Sequence, residues 1–144
     1  MKKLNVSLIL LHDNEKRFLL QHRTVDAEQA PDHWAFFGGG INPGETPEEA
    51  VIRESLEELS YKPQSPKMIL KKDFSLDQVP GVMHVFTEPY QGDKTKLRLG
   101  EGQGWGWFHS TELGDLKMLL HDRKVVEYAT QFLINNDVKN DSTI

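Results

Sequence analysis

Between Glu45 and Glu58 the chain carries six glutamates and one arginine. Three of them, Glu54, Glu57 and Glu58, stand at i, i+3 and i, i+4 spacings on what reads as one helix. Like-charged pairs at those spacings destabilise an isolated helix by roughly 0.2–0.5 kcal/mol each. Arg53 offsets part of the repulsion, through Glu57 at i+4. Two explanations are open. One is a solvated polar face, which is what most acidic helix faces are. The other is an ion site, in which a cation turns the like charge into a coordination shell. Carboxylate oxygens are hard donors, suited to Mg2+ or Mn2+ and unsuited to Zn2+. Mg2+ keeps several waters and completes its shell with substrate phosphates. The second explanation therefore points to phosphoryl chemistry.

The residues ahead of the helix favour the ion site. Gly38, Gly39, Gly40 and Gly44 read as a loop whose backbone can approach a partner closely. The loop lacks the Gly-Lys-Ser/Thr ending of a P-loop, and Gly38-Gly39-Gly40 does not fit the G-x-G-x-x-G dinucleotide spacing. The helix start is well marked. Thr46 is the expected N-cap, Pro47 takes the first helical position and Glu49 completes a capping box. Projected at about 100° per residue, Val51, Ile52, Leu56 and Leu59 share one arc, and Arg53, Glu54, Glu57 and Glu58 the opposite one.

The rest of the chain supplies the frame that must hold these groups. Residues 3–11 read as a buried strand, 13–16 as a turn and 17–23 as a second strand. A polar loop precedes the short apolar piece Trp34-Ala35-Phe36-Phe37. Residues 67–76 and 82–89 read as strands around a Val79-Pro80-Gly81 turn, with a further turn at 91–96. Trp105 to Phe108 reads as a last strand and 121–134 as a closing amphipathic helix. Strands with flanking helices indicate an α/β sandwich. One domain over residues 1–134 is expected, followed by a polar tail at 135–144 that frays.

Composition narrows the function classes. The 144 residues suit one domain with a full core. There is no cysteine, which removes disulfides and thiolate chemistry. A net charge of −5 argues against a nucleic-acid polymer as partner. Lys2-Lys3 and the apolar run after it resemble a short signal peptide, but the run stops at His12-Asp13 without a cleavage site. A core strand, no membrane partner and a cytoplasmic location are the expectation.

These residues resemble a known family. Gly39, five residues, Glu45, seven residues and then Arg53-Glu54-Ser55-Leu56-Glu57-Glu58-Leu59 looks like the Nudix box, matched at every charged position. The likeness extends to Leu19–Arg23 before the box and Glu101-Gly102 after it, and is similar to the MutT-like group. It implies a Nudix-type α/β/α sandwich with a mixed β-sheet. It implies Mg2+- or Mn2+-dependent hydrolysis of a nucleoside diphosphate linked to another group, most simply a nucleoside triphosphate cut to monophosphate and pyrophosphate. It also implies roles. Glu57 and Glu58 would be the main metal ligands, with the Gly38 carbonyl. Glu54 would bind metal or take a proton from the attacking water. Glu45 would pair with Arg53 to aim Glu54, and Glu101 would add a carboxylate from a glycine-flanked loop. Two positions depart from the pattern: Ser55 replaces an aliphatic residue, and Ser60 replaces the glycine that ends the helix.

Substrate identity is less legible. Arg23 is a phosphate or base contact or a solvated strand end. Phe36 is a base-packing or a core residue, and Trp34, Trp105 and Trp107 are stacking candidates or core. His121 and Asp122 stand near where the MutT-like group has a purine-reading asparagine. His22, His33 and His109 read as surface or packing residues. Nucleotide sugars and dinucleoside polyphosphates are the alternative substrates, and a catalytically silent nucleotide sensor the alternative class. A monomer and a homodimer are both compatible.

Overall fold

The computed structural model describes residues 4–100 and 102–142. Its centre is strand β1, Leu4–His12. Odd positions Ile9 and Leu11 face one apolar cluster and Leu10 faces the other, so both sides of the strand are buried. Strands β2 (Phe18–His22), β3 (Trp34–Ala35), β4 (Phe37–Gly40), β5 (Lys67–Leu76), β6 (Val79–Pro89) and β7 (Gly104–Phe108) complete one sheet. β1 runs parallel to β6 and antiparallel to β2 and β4, so the sheet is mixed. Helix α1 (Pro47–Leu59) covers the side with Ile9, Leu19 and Phe86, and helix α2 (Leu120–Ser142) the side with Leu10, Met83 and Val125. This is the α/β/α sandwich expected. Among the described residues, no helix is long and apolar enough to cross a membrane.

Three expectations need correction. Gly38 to Gly40 are not loop but strand, registered against Leu8, Ser7 and Val6. The turn between β5 and β6 is Asp77-Gln78, both at positive φ (51° and 68°), not Val79-Pro80-Gly81. A two-residue turn with both φ positive matches the twist of the flanking strands, and that need outweighs the usual signal of Pro-Gly. The closing helix, expected over 121–134, runs Leu120–Ser142. Gln131 donates to Asn135 at 2.9 Å, and Lys16 on the first turn meets Asp137 at 2.8 Å.

Two buried carboxylates lock the frame at the C-terminal ends of β1 and β6. Asp13 accepts from Arg17 and from Lys94, whose ammonium also lies 4.2 Å from the Trp107 ring. Burial pushes the Asp13 carboxyl up, but the Lys94 and Arg17 hydrogen bonds outweigh it and hold the carboxyl at about 2. At the far end of β6, the buried Glu88 accepts from the Tyr61 hydroxyl and from Ser65 N–H.

Helix α1 begins as expected. Thr46 accepts from Glu49 N–H at 3.1 Å, and the Glu49 carboxylate accepts from Thr46 N–H at 2.9 Å. Its roll differs from the projection. Leu56 is 52% exposed, whereas Ser55 at 0% and Glu58 at 5% face inward with Val51 and Leu59. The row 51, 55, 58 turns the glutamate edge of the helix toward β4, where glycines leave room. The Ser55 hydroxyl has no hydrogen-bond partner among the described residues. A buried unpaired hydroxyl costs about 1–3 kcal/mol, so Ser55→Ala should raise stability by about 1 kcal/mol in urea unfolding; a loss of stability would show that the hydroxyl is satisfied.

Candidate active site

Arg53 is the hub of the glutamate cluster. Its Nε donates to Glu45 Oε2 at 2.8 Å and its Nη2 to Glu45 Oε1 at 2.9 Å. Its Nη1 donates to Glu54 Oε1 at 2.8 Å, and Nη2 also reaches the Gly40 carbonyl at 2.9 Å. Such a fork pairing is directional as well as strong. It ties the 41–45 segment, the end of β4 and the helix into one unit. The Arg53 hydrogen bonds hold the Glu45 carboxyl at about 2, and the Glu45 and Glu54 hydrogen bonds push the Arg53 guanidinium up.

The glycines let the carboxylates reach the sheet. A Cβ on Gly39 would lie 2.8 Å from the Glu54 carboxylate carbon, so the missing side chain is the space Glu54 occupies. A Cβ on Gly38 would lie 2.1 Å from the Ser7 carbonyl oxygen, and Gly38 has φ 134°. Gly38 N–H points to Glu58 Oε2 at 3.4 Å. Glu57 differs from its neighbours: its side chain is 61% exposed, and Arg53 is 3.8 Å away. The helix ends at Ser60, which adopts the left-handed conformation at φ 55° in place of the expected glycine. The exposed carbonyls of the last turn are met by the chain returning from β6. Arg98 N–H donates to Leu59 O at 3.0 Å and Gly100 N–H to Glu58 O at 2.7 Å. Glu101, the expected distant carboxylate, lies outside the described residues.

The donors assembled are carboxylate and carbonyl oxygens alone, open on the solvent side at Glu57. Among the described residues no three acidic or histidine side chains are gathered closely enough to hold a metal by themselves. An open, all-oxygen set fits a hard cation that retains water, and it does not fit zinc.

Beside this cluster a cleft of about 730 Å³ opens on the α2 side of the sheet. Its walls include Val6, Leu8, Phe36, Phe74, Met83 and Leu119, and Glu54 with Gly38–Gly40 forms one side. Arg23, His121 and Asp122 also line it. Asp122 is 7% exposed and His121 Nε2 lies 3.1 Å from its Oδ1. That hydrogen bond raises the His121 pKa. Of the expected substrate residues, Arg23, Phe36, His121 and Asp122 are therefore brought together. Trp34 is not among the cleft walls. It stacks on His22 at 4.8 Å and meets Phe108 edge-on at 5.0 Å. Trp105 and Trp107 pack against the α1-side core. His22, read from the sequence as a surface or packing residue, does pack on Trp34 and is also bonded to Asp32 at 2.9 Å; no signal in the sequence links two residues ten apart across a polar loop.

Comparison with known proteins gives the family and the fold. The chain is 35% identical over 74 residues to the 8-oxo-dGTP diphosphatase of Escherichia coli K12, covering 51% of this chain and 57% of that one. It is 29% identical over 102 residues to an RNA pyrophosphohydrolase of Francisella tularensis subsp. mediasiatica, covering 70% and 57%. The matches thus span just over half the length of these relatives. Among solved structures, the MutT protein of Methanosarcina mazei Go1 superposes with a TM-score of 0.77 at 22% identity, covering 91% of this chain and 97% of the other. The family profile described as NUDIX domain matches residues 1–129, a range that takes in the Arg53 hub, the glycine strand and the cleft, and the chain belongs to that family.

Proposed function

We propose that this protein is a Mg2+-dependent nucleotide pyrophosphohydrolase that cuts a nucleoside triphosphate, normal or modified, to the monophosphate and pyrophosphate. The observation that carries the reading is the placement of Glu54. Arg53 fixes one of its oxygens at 2.8 Å, and the carboxylate stands against Gly39 at the edge of a nucleotide-sized cleft. Glu57, Glu58 and the Gly38 carbonyl would hold the cation, with Glu101 as a further carboxylate. When bound, Mg2+ supplies neutralisation of charge on the phosphate oxygens.

The remaining work falls to the chain. Glu54 accepts the proton of a water as its oxygen adds to phosphorus, and the α,β anhydride P–O bond breaks to give the monophosphate and pyrophosphate. Glu45 acts through Arg53 to hold Glu54 in place. Arg23 meets a phosphate or the base, and Phe36 gives the base an apolar wall. The Asp122 carboxylate accepts only, so it selects a base edge that offers N–H donors, with His121 orienting it. A small nucleotide is the preferred substrate; the Francisella relative's name makes a 5′-triphosphorylated RNA the control to include.

A panel of nucleoside triphosphates, nucleotide sugars, a dinucleoside polyphosphate and a 5′-triphosphorylated RNA, each with Mg2+ and products identified by mass, tests this. Monophosphate and pyrophosphate from a triphosphate are expected. Orthophosphate as first product, or preference for the RNA, would count against the reading.

A further inference from the structure

The loop between β2 and β3 holds two non-glycine residues in the left-handed region, Ala30 at φ 44° and Asp32 at φ 62°. Such a conformation is disfavoured for a side-chain-bearing residue and persists where surrounding contacts hold it. Here the contacts converge on Asp32. Its N–H donates to the Thr24 carbonyl at 3.0 Å. Its Oδ1 meets His22 Nε2 at 2.9 Å and Gln103 Nε2 at 3.1 Å, and its Oδ2 lies 3.9 Å from Lys117. Gln103 comes from the segment that follows the Gly100 contact on α1. Its N–H donates to the His22 carbonyl at 2.8 Å, and its side-chain amide donates to the Arg23 carbonyl at 2.7 Å. The Arg23 guanidinium, in turn, donates to the Gln29 carbonyl at 2.8 Å and lines the cleft.

We infer that Gln103 is a positioning residue for Arg23. One amide group clamps the Arg23 backbone and the strained Asp32 together, so the direction in which Arg23 enters the cleft depends on a residue far away in sequence. The amide nitrogen lies 2.7 Å from Arg23 O and 3.1 Å from Asp32 Oδ1, with His22 Nε2 farther off at 3.3 Å. The inference rests on the proposed contact of Arg23 with the nucleotide.

The test is a double-mutant cycle on binding of α,β-methylene-dGTP, which does not turn over, measured by calorimetry with the full chain. Arg23→Ala and Gln103→Ala should each weaken binding, Gln103→Ala by about tenfold, the worth of one to two hydrogen bonds. The double variant should bind no more weakly than Arg23→Ala, because no guanidinium is left to misplace. Gln103→Glu keeps the bulk, cannot donate to the Arg23 carbonyl and repels Asp32; it should reproduce the loss. Should Gln103→Ala fail to fold, Asp32→Gly replaces it in the cycle, since glycine suits the backbone and removes the acceptor. Additive losses, or unchanged affinity in Gln103→Ala, would overturn the inference. Wild-type binding without turnover of any triphosphate in the panel would overturn the hydrolase reading alone; no binding of any of them by the wild type would overturn both.

Discussion

Glu58→Gln is expected to lower triphosphate turnover by on the order of a hundredfold at limiting Mg2+, about 2.7 kcal/mol of barrier. Glu57→Gln should lose about tenfold and recover much of it at high Mg2+. The sequence treats the two adjacent carboxylates alike; the structure does not. Glu58 is 5% exposed, on the helix row that faces the sheet, with Gly38 N–H pointing at it. Little entropy is lost when such a carboxylate takes a cation. The Glu57 side chain is 61% exposed and must first be ordered. Glutamine keeps the shape and removes the charge, so both variants should fold. Initial rates against Mg2+ concentration, with metal binding by calorimetry, decide the order. Wild-type-like rates in both would remove these residues from the ion site, and a larger loss in Glu57→Gln would make the exposed carboxylate the main ligand.

Two neighbouring glycines should separate folding from chemistry. Gly38→Ala meets the Ser7 carbonyl at 2.1 Å, in a backbone conformation that side chains rarely adopt. Strand β1 cannot retreat, because β6 is paired along its other edge. A loss of at least about 3 kcal/mol is expected from overpacking and strain together. Gly39→Ala first meets the end of the Glu54 side chain, at 2.8 Å. That end can move, so stability should change by less than about 1 kcal/mol, within the ordinary range for a point substitution. The displaced carboxylate, however, should cost on the order of a hundredfold in kcat, as misplacement by about 1 Å commonly does. Urea unfolding and steady-state rates on both proteins measure the contrast. Full activity in Gly39→Ala would show that the position of Glu54 is immaterial.

The helix carrying the cluster is legible because its signals are local. Thr46, Pro47 and Glu49 are capping chemistry within one turn, and the i, i+3 and i, i+4 spacings of the glutamates follow from helix pitch. The buried strands are legible for the same reason, as runs of apolar residues around Leu8–Leu11 and Leu19-Leu20. The errors lie where a local signal competes with a distant contact. Gly38–Gly40 has loop composition, yet pairing with β1 makes it strand. Leu56 looks buried by periodicity, but the roll of the helix is set by how closely α1 approaches those glycines, so Ser55 and Glu58 turn inward instead. Trp34 has the chemistry of a stacking platform, but His22 is already stacked on it and Phe108 meets it edge-on.

Residue types and spacing by themselves determine that this chain presents hard oxygen donors on one edge of a capped helix behind a run of glycines. Only the tertiary structure decides which donor is buried and which exposed, where Glu54 rests, and that Arg23, Phe36, His121 and Asp122 share one cleft. The physical reason is range: caps and helix spacings act within four residues, whereas the register of β1 against β4 and β6 is set by burying both faces of the sheet at once.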